Sequence, residues 1–235
     1  MINGEIKTNL TSSERKNEKV DIAVGFVLTM LVGCGVMLFQ RNVLTGFPKG
    51  LQLALTFPLA WLPALPAIVI LIIRCDRLVT LRPTKRGLPA QLITGIVLGI
   101  LVFAATHGLL YLLDALGIIT FTPAKSEISL FNSLYKLAYF LIAIGASEEF
   151  LSRCFFYEKF KRVFKTDRAA VLGSSLLFAL LHIINGSDPA NLVFIFIIAI
   201  VFAALRLKLK SCTLISLIVM HGVYDWLIRI IPSLF

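Results

Sequence analysis

Residues 129–157 read SLFNSLYKLAYFLIAIGASEEFLSRCFFY, an apolar stretch that carries charged residues in its interior. A helix needs about 17–25 residues to cross a hydrocarbon core of about 30 Å, so this stretch is long enough to span a membrane. Glu148, Glu149 and Arg153 nevertheless lie well inside it. An ionisable side chain at the centre of a membrane helix costs about 2.5–3.5 kcal/mol, and such residues are therefore usually paired and functional.

The rest of the chain also has the composition of a membrane protein. Of its 235 residues, 58% are hydrophobic and 15% are charged, whereas soluble domains are about 45–50% apolar and about 25% charged. This composition excludes a soluble enzyme with one compact core. We predict an all-α, multi-pass transmembrane bundle of about seven spans, in the plasma membrane. The predicted spans are 21–39, 51–73, 89–113, 129–157, 169–187, 189–205 and 212–232.

The basic residues predict how the bundle is oriented. The net charge is +10, from 23 Lys and Arg against 13 Asp and Glu. Seventeen of the basic residues lie before the first span or in segments 74–88, 158–168 and 206–210, and four lie in the alternate connections or near the C-terminal end. Because Lys and Arg collect in cytoplasmic loops, we predict a cytoplasmic N-terminus. The positive charge then reflects topology and attraction to anionic lipid head groups, and we predict no nucleic-acid partner.

The domain organisation follows from the same pattern. Residues 1–20 are polar and charged, which predicts a disordered cytoplasmic tail. Residues 21–235 form one transmembrane domain in this interpretation. The four cysteines are far apart and no HExxH motif occurs, so the sequence predicts neither a disulfide framework, nor a metal site, nor a cofactor.

Six ionisable residues lie in the interiors of three of the predicted spans, the fourth, fifth and seventh. At 1.5 Å per residue from the basic loops, four of them lie about 15–22 Å into the membrane, namely Glu148, His182, His221 and Asp225. Three antiparallel helices therefore bring them to one layer, as a single buried, hydrated site requires. The candidate site residues are Glu148, Glu149, Arg153, His182, His221 and Asp225.

Helical spacing assigns partners within this set. Residues four apart lie on nearly the same side of a helix, so Glu149 and Arg153 are predicted to form an ion pair. Glu148 is about 140° away from Arg153 and is predicted to point elsewhere. The same spacing allows His221 and Asp225 to face one cavity.

These residue types suit hydrolysis of a peptide bond. A carboxylate that is kept from bulk water is a stronger base and can activate a trapped water molecule. A histidine placed opposite can donate a hydrogen bond to the oxyanion that forms when water attacks an amide. Three alternatives stay open: polar contacts that only hold helices together, a non-catalytic membrane scaffold or immunity protein, and a proton-coupled transporter.

Three motifs occur in order along residues 129–232. They are EExxxR at Glu148–Arg153, FxxxH at Phe178–His182 and Hxxx(N/D) at His221–Asp225. Together they resemble the CPBP family, the CAAX-protease and bacteriocin-processing group that is also called Abi. The resemblance implies an intramembrane endopeptidase of the glutamate type, without a metal, that acts on a membrane-associated peptide or protein.

The resemblance also implies roles for individual residues. Glu148 would be the general base and His182 would hold and polarise the water, while His221 and the residue at Asp225 would line the oxyanion site. Many family members have Asn at this last position, and an ionised aspartate cannot donate a hydrogen bond. Asp225 is therefore either protonated or an acceptor that orients His221.

Two further positions bear on the resemblance. Glu149 and Arg153 would organise the base and the water-binding histidine. Cys154 stands where many members have glycine, and we interpret it as a packing residue. The motifs leave the substrate open among prenylated tails, bacteriocin leaders and C-terminal anchoring signals.

Overall fold

The computed structural model describes residues 6–81, 87–122 and 129–231, and within them every regular element is helical. The α-helices are α1 (Ser12–Asn42), α2 (Lys49–Trp61), α3 (Leu65–Ile73), α4 (Leu88–Ala115), α5 (Leu130–Ala138), α6 (Ala146–Glu149), α7 (Tyr157–Phe164), α8 (Asp167–Leu181), α9 (Pro189–Lys208) and α10 (Leu214–Ile230). Two π-helical segments, Tyr139–Gly145 and Phe150–Phe156, join α5 to α6 and α6 to α7.

The predicted all-α, multi-pass architecture is confirmed. In the described part of the chain, six continuous helical stretches are long and apolar enough to cross a membrane. They are Ser12–Gly46, Lys49–Ile73, Leu88–Ala115, Leu130–Phe164, Asp167–Asn185 and Pro189–Lys208. The seventh predicted span coincides with α10, which has 17 residues. The orientation of the N-terminus stays a prediction.

The second span is not a continuous α-helix. A 3₁₀ turn, Leu62–Ala64, separates α2 from α3. Pro58 lies inside α2, and Pro63 and Pro66 follow in the turn and at the start of α3. Each proline lacks the N–H that an α-helix needs, and the backbone tightens locally where three of them follow one another.

The first helix begins earlier than the sequence led us to expect. Residues 12–20, which we predicted to be part of a disordered tail, belong to α1. The side chain of Thr11 accepts from Glu14 N at 3.2 Å, and Thr11 N donates to the Glu14 carboxylate at 2.8 Å. This reciprocal capping box stabilises the first turn. Glu18 is buried, so tertiary contacts hold this polar part of the helix as well.

The chain divides into two compact units. Unit 1 comprises Met1–Lys85 and Ser147–Lys210, and unit 2 comprises Arg86–Ala146 and Ser211–Phe235. The EExxxR and FxxxH motifs therefore belong to unit 1, and the Hxxx(N/D) motif belongs to unit 2.

A buried ionic network joins three segments of unit 1. The ammonium group of Lys159, on α7, lies 2.9 Å from Glu18 and 3.0 Å from both Asp21 and Asp76. Arg162 lies 3.0 Å from Glu18 and 2.6 Å from Asp76. Burial raises the pKa of the Asp76 carboxyl, but hydrogen bonds from the two cations outweigh that effect and the pKa lies below 3.8. Ionised Asp76 therefore stabilises the fold above that pH, and the contribution is lost as the pH falls through the lowered pKa.

The carboxylate of Glu158 extends this network to the segment after α3. It accepts from Val79 N at 3.0 Å and from both the amide and the hydroxyl of Thr80 at 2.5 Å. Arg162 lies 3.4 Å from the same carboxylate. Four acidic side chains and their cations thus tie α1, the segment 76–80 and α7 together.

Replacing Lys159 tests this network. Lys159 is 1% exposed, so Lys159→Met leaves three carboxylates without their shared cation. Breaking a buried charge pair typically costs about 3–5 kcal/mol, and we expect a loss of that size in the free energy of unfolding, measured in detergent. Lys208→Met, at an exposed position, is the matched control and should change the stability by less than about 0.5 kcal/mol. Equal effects of the two substitutions would contradict the network's role.

Unit 2 is built on close contact between α4 and α10. A Cβ atom added at Gly95 would lie 2.6 Å from the carbonyl oxygen of Ser216, and one added at Gly99 would lie 2.9 Å from that of Met220. Small residues let membrane helices approach closely, where van der Waals packing replaces the hydrophobic driving force.

The other side of α10 contacts the first π-helical segment with equally little space. A Cβ atom at Gly222 would lie 2.8 Å from Leu141 Cα, and one at Gly145 would lie 2.9 Å from the carbonyl oxygen of Ile218. The indole N–H of Trp226 donates to a main-chain oxygen of α5 at 3.1 Å. These contacts fix α10, and with it the Hxxx(N/D) motif, against α5 and the π-helical segment.

A methyl group at Gly222 should disrupt this packing. Because two of the three nearest atoms are backbone atoms of Leu141, at 2.8 and 2.9 Å, Gly222→Ala requires a main-chain shift, and we expect it to destabilise the protein by about 1–3 kcal/mol. Gly108→Ala, also within a helix but with no atom within 4 Å of the added Cβ, is the control. It should leave thermal unfolding unchanged or raise the midpoint slightly, since alanine favours helix. Similar midpoints for the two variants would refute the argument.

Candidate functional site

The two adjacent glutamates lie on a short α-helical turn between two π-helical segments. α6 spans only Ala146–Glu149, with Tyr139–Gly145 before it and Phe150–Phe156 after it. π-helical segments are rare and are frequent at functional sites. No residue pattern in 129–157 distinguished them from α-helix, so the sequence reasoning missed them.

The predicted ion pair between Glu149 and Arg153 is confirmed. Arg153 Nε lies 3.3 Å from a carboxylate oxygen of Glu149, with Arg153 2% exposed and Glu149 fully buried. The guanidinium also donates to Ala199 O at 3.0 Å and to the hydroxyl of Ser152. A cation removed from water requires this compensation, because its desolvation costs several kcal/mol.

Glu148 lies in different surroundings from its neighbour. Its side chain is half-buried, whereas Glu149 is inaccessible. Glu148 is close enough to Arg153 to interact with it electrostatically. Its main-chain oxygen accepts from the Ser152 hydroxyl at 2.6 Å. Of the two carboxylates, only that of Glu148 is partly accessible.

His182 is linked to the ion pair through an aromatic side chain. The Phe178 ring lies 5.2 Å from Arg153 Cζ, and the ring of His182 meets it edge-on, with centroids 4.7 Å apart. His182 begins a 3₁₀ turn at the end of α8, and its Nδ1 lies 2.9 Å from Phe178 O. If Nδ1–H donates to this carbonyl, Nε2 is the basic nitrogen of the half-buried ring.

In unit 2, the structure brings His221 and Asp225 together on α10. His221 Nε2 lies 3.5 Å from a carboxylate oxygen of Asp225, with side chains 7% and 24% exposed. Both predicted roles of Asp225, the protonated form and the acceptor that orients His221, fit this contact.

Sequence reasoning missed a further residue of the unit 1 cluster. Arg206 Nη1 donates to the main-chain oxygen of Arg153 at 3.1 Å, in the second π-helical segment. Its position in the basic segment 206–210 had indicated only topology. In neither unit do three described His, Cys, Asp or Glu side chains come together as a metal site would need.

The motif-bearing part of the chain matches a known protein family. Residues 130–227 match the family model described as type II CAAX prenyl endopeptidase Rce1-like. Over these residues, which are fewer than half of the chain, the protein is similar to the Rce1-like family, and we call them the Rce1-like segment. The Rce1-like segment contains all three motifs, which confirms the resemblance seen in the sequence and supports a membrane-embedded protease as the general class of the protein. No match was found among curated proteins or among solved structures.

The buried ion pair of the Rce1-like segment can be tested by a double-mutant cycle. Arg153→Met leaves the buried Glu149 carboxylate without its cation, and we expect a loss of about 3–5 kcal/mol in the free energy of unfolding. Glu149→Leu should lower the free energy of unfolding by a similar amount, because it leaves the buried Arg153 guanidinium without its carboxylate. The double variant should recover at least half of the summed loss, since no buried charge is left unpaired. Strictly additive losses would show that the two side chains are not coupled.

Proposed function

We propose that the protein is an intramembrane endopeptidase in which Glu148 activates water for attack on a peptide bond of a membrane-associated substrate. The observation that carries the proposal is the difference between the two adjacent carboxylates. Glu149 is fully buried against Arg153, whereas Glu148 is half-buried within the same Rce1-like segment. A general base has to reach water, and only Glu148 of this pair meets that requirement.

The remaining motif residues have roles that suit this reaction. His182 has Nδ1 beside the Phe178 carbonyl, so its Nε2 can accept a hydrogen bond from the water that Glu148 deprotonates. His221, oriented by Asp225, is assigned to the oxyanion of the tetrahedral intermediate. The proton taken by Glu148 would then pass to the leaving amine, as general acid–base catalysis requires.

The pair of Glu149 and Arg153 has a positioning role in this proposal. Arg153 contacts Phe178, the ring on which His182 packs, so the pair would hold the histidine relative to the turn that carries Glu148. The name of the family adds a substrate class, a peptide with a prenylated cysteine near its C-terminus. We therefore choose such a peptide as the first substrate to test.

Glu148→Gln should abolish cleavage and leave the fold intact. The amide is nearly isosteric with the carboxylate but cannot take a proton from water, so we expect a rate loss of at least about 100-fold. The assay is release of the C-terminal fragment from a farnesylated peptide, with the purified full-length protein in lipid nanodiscs. Glu14→Gln, the same exchange at an exposed site near the N-terminus, is the matched control and should cleave at the wild-type rate.

A substrate of another type requires a second readout. Cells that carry the wild type or Glu148→Gln are compared for new peptide termini among membrane-associated proteins. Termini that depend on Glu148 would support the proposal even if the farnesylated peptide is inert. Cleavage by Glu148→Gln at the wild-type rate would refute it, and a cellular phenotype that survives alanine at both Glu148 and His182 would favour a scaffold.

A further inference from the structure

Unit 1 contains a cavity that the proposed catalytic residues do not explain. Its volume is about 400 Å³, and it lies among α7, α8, α9 and the segments 6–8 and 79–80. Small-molecule sites usually occupy about 300–1,000 Å³, so the cavity can hold one polar group with its immediate substituents. Neither Glu148 nor His182 lines it.

The lining of this cavity is strongly basic. It includes Arg153, Lys161, Lys165 and Arg206, against a single carboxylate, that of Asp167. Lys161 already pairs with Asp167 at 2.9 Å, and Tyr157 donates to the same carboxylate. Arg153 forms an ion pair with Glu149. The surplus positive charge therefore comes from Lys165 and Arg206.

These two cations have no carboxylate partner among residues 6–81, 87–122 and 129–231. Arg206 is half-buried in the last turn of α9, where its Nη1 donates a hydrogen bond to the main-chain carbonyl of Arg153. Lys165 ends α7 in the left-handed conformation, with φ of +64°, and its side chain is exposed at the cavity edge. A half-buried guanidinium held by one neutral oxygen is electrostatically under-compensated, which favours an anion beside it.

The surroundings indicate which anion fits. Lys161, Lys165 and Arg206 belong to segments 158–168 and 206–210, which we predict to face the cytoplasmic head groups. Apolar side chains complete the wall, among them Ile6 and Leu207, the latter 44% exposed. A guanidinium and an ammonium group beside an apolar wall suit a phosphate that carries a hydrophobic substituent. Basic pockets between membrane helices bind lipid head groups in this way.

We propose that this cavity binds the phosphate of an anionic phospholipid head group through Arg206 and Lys165. The head group would occupy the cavity between α7 and α9, next to the segment 6–8 that precedes α1. This site does not depend on the proposed peptidase activity, because neither cation belongs to the three motifs.

Lipid retention by the full-length protein tests the proposal. The protein in detergent is titrated with phosphatidylglycerol or phosphatidylcholine, and bound lipid is counted by native mass spectrometry. The cavity variant is Lys165→Gln with Arg206→Gln. The matched control is Lys208→Gln with Lys210→Gln, which removes two exposed charges at the end of the same helix and just beyond it, both outside the cavity.

We expect one phosphatidylglycerol molecule to bind the wild type and the control more tightly than phosphatidylcholine does. The cavity variant should bind phosphatidylglycerol about 30-fold more weakly, as expected for two basic residues near a lipid phosphate. Lys165→Gln alone should weaken binding about fivefold. Its side chain is exposed and cannot disturb the core, so this variant tests the site even if the double variant does not fold.

Two results would overturn the assignment. Equal losses in the cavity variant and the control would mean that diffuse surface charge, and not this cavity, attracts the lipid. Glycerol phosphate binding as tightly as the whole lipid would mean that the site takes a soluble phosphate, since the acyl chains would then contribute nothing.

Discussion

The ion pair between Glu149 and Arg153 is the interaction on which the organisation of unit 1 depends. A guanidinium in the interior of a membrane span is tolerated only if the protein replaces its hydration. Here a carboxylate, a hydroxyl and the main-chain oxygen of Ala199 do so, while Phe178 and Phe202 cover the charge. One side chain thereby connects the EExxxR helix with both α8 and α9.

The same constraint separates the roles of the two glutamates. Because Glu149 is used to neutralise Arg153, the neighbouring Glu148 is left in a more accessible position with a different electrostatic environment. Toward the basic end of unit 1 the same problem recurs with Lys159 and Arg162, and the solution is again a set of buried carboxylates. Arg206 differs from these cations, because its hydrogen-bond partner is a neutral carbonyl. That difference distinguishes a structural ion pair from a place where an anion can bind.

The sequence predicted those features that depend on local geometry or on hydrophobic length. The four-residue spacing gave the pairs Glu149–Arg153 and His221–Asp225, and apolar runs gave the spans. It could not predict the π-helical segments, because their wider turns are stabilised by tertiary packing such as that of Gly222 on Leu141. The start of α1 was missed for a similar reason: polar residues indicated a tail, whereas Glu18 is buried against cations that are distant in sequence.

By itself, the sequence determined that the chain is an all-α membrane protein, since hydrocarbon thickness leaves few alternatives for its apolar runs. The resemblance to the CPBP family came from three ordered motifs. Only the tertiary structure decided which charges are compensated and which are accessible. Glu148 and Glu149 are identical residues in adjacent positions, and Arg153 and Arg206 are both arginines on long apolar helices. Their different roles follow from burial and from partners on other helices, which no local pattern encodes.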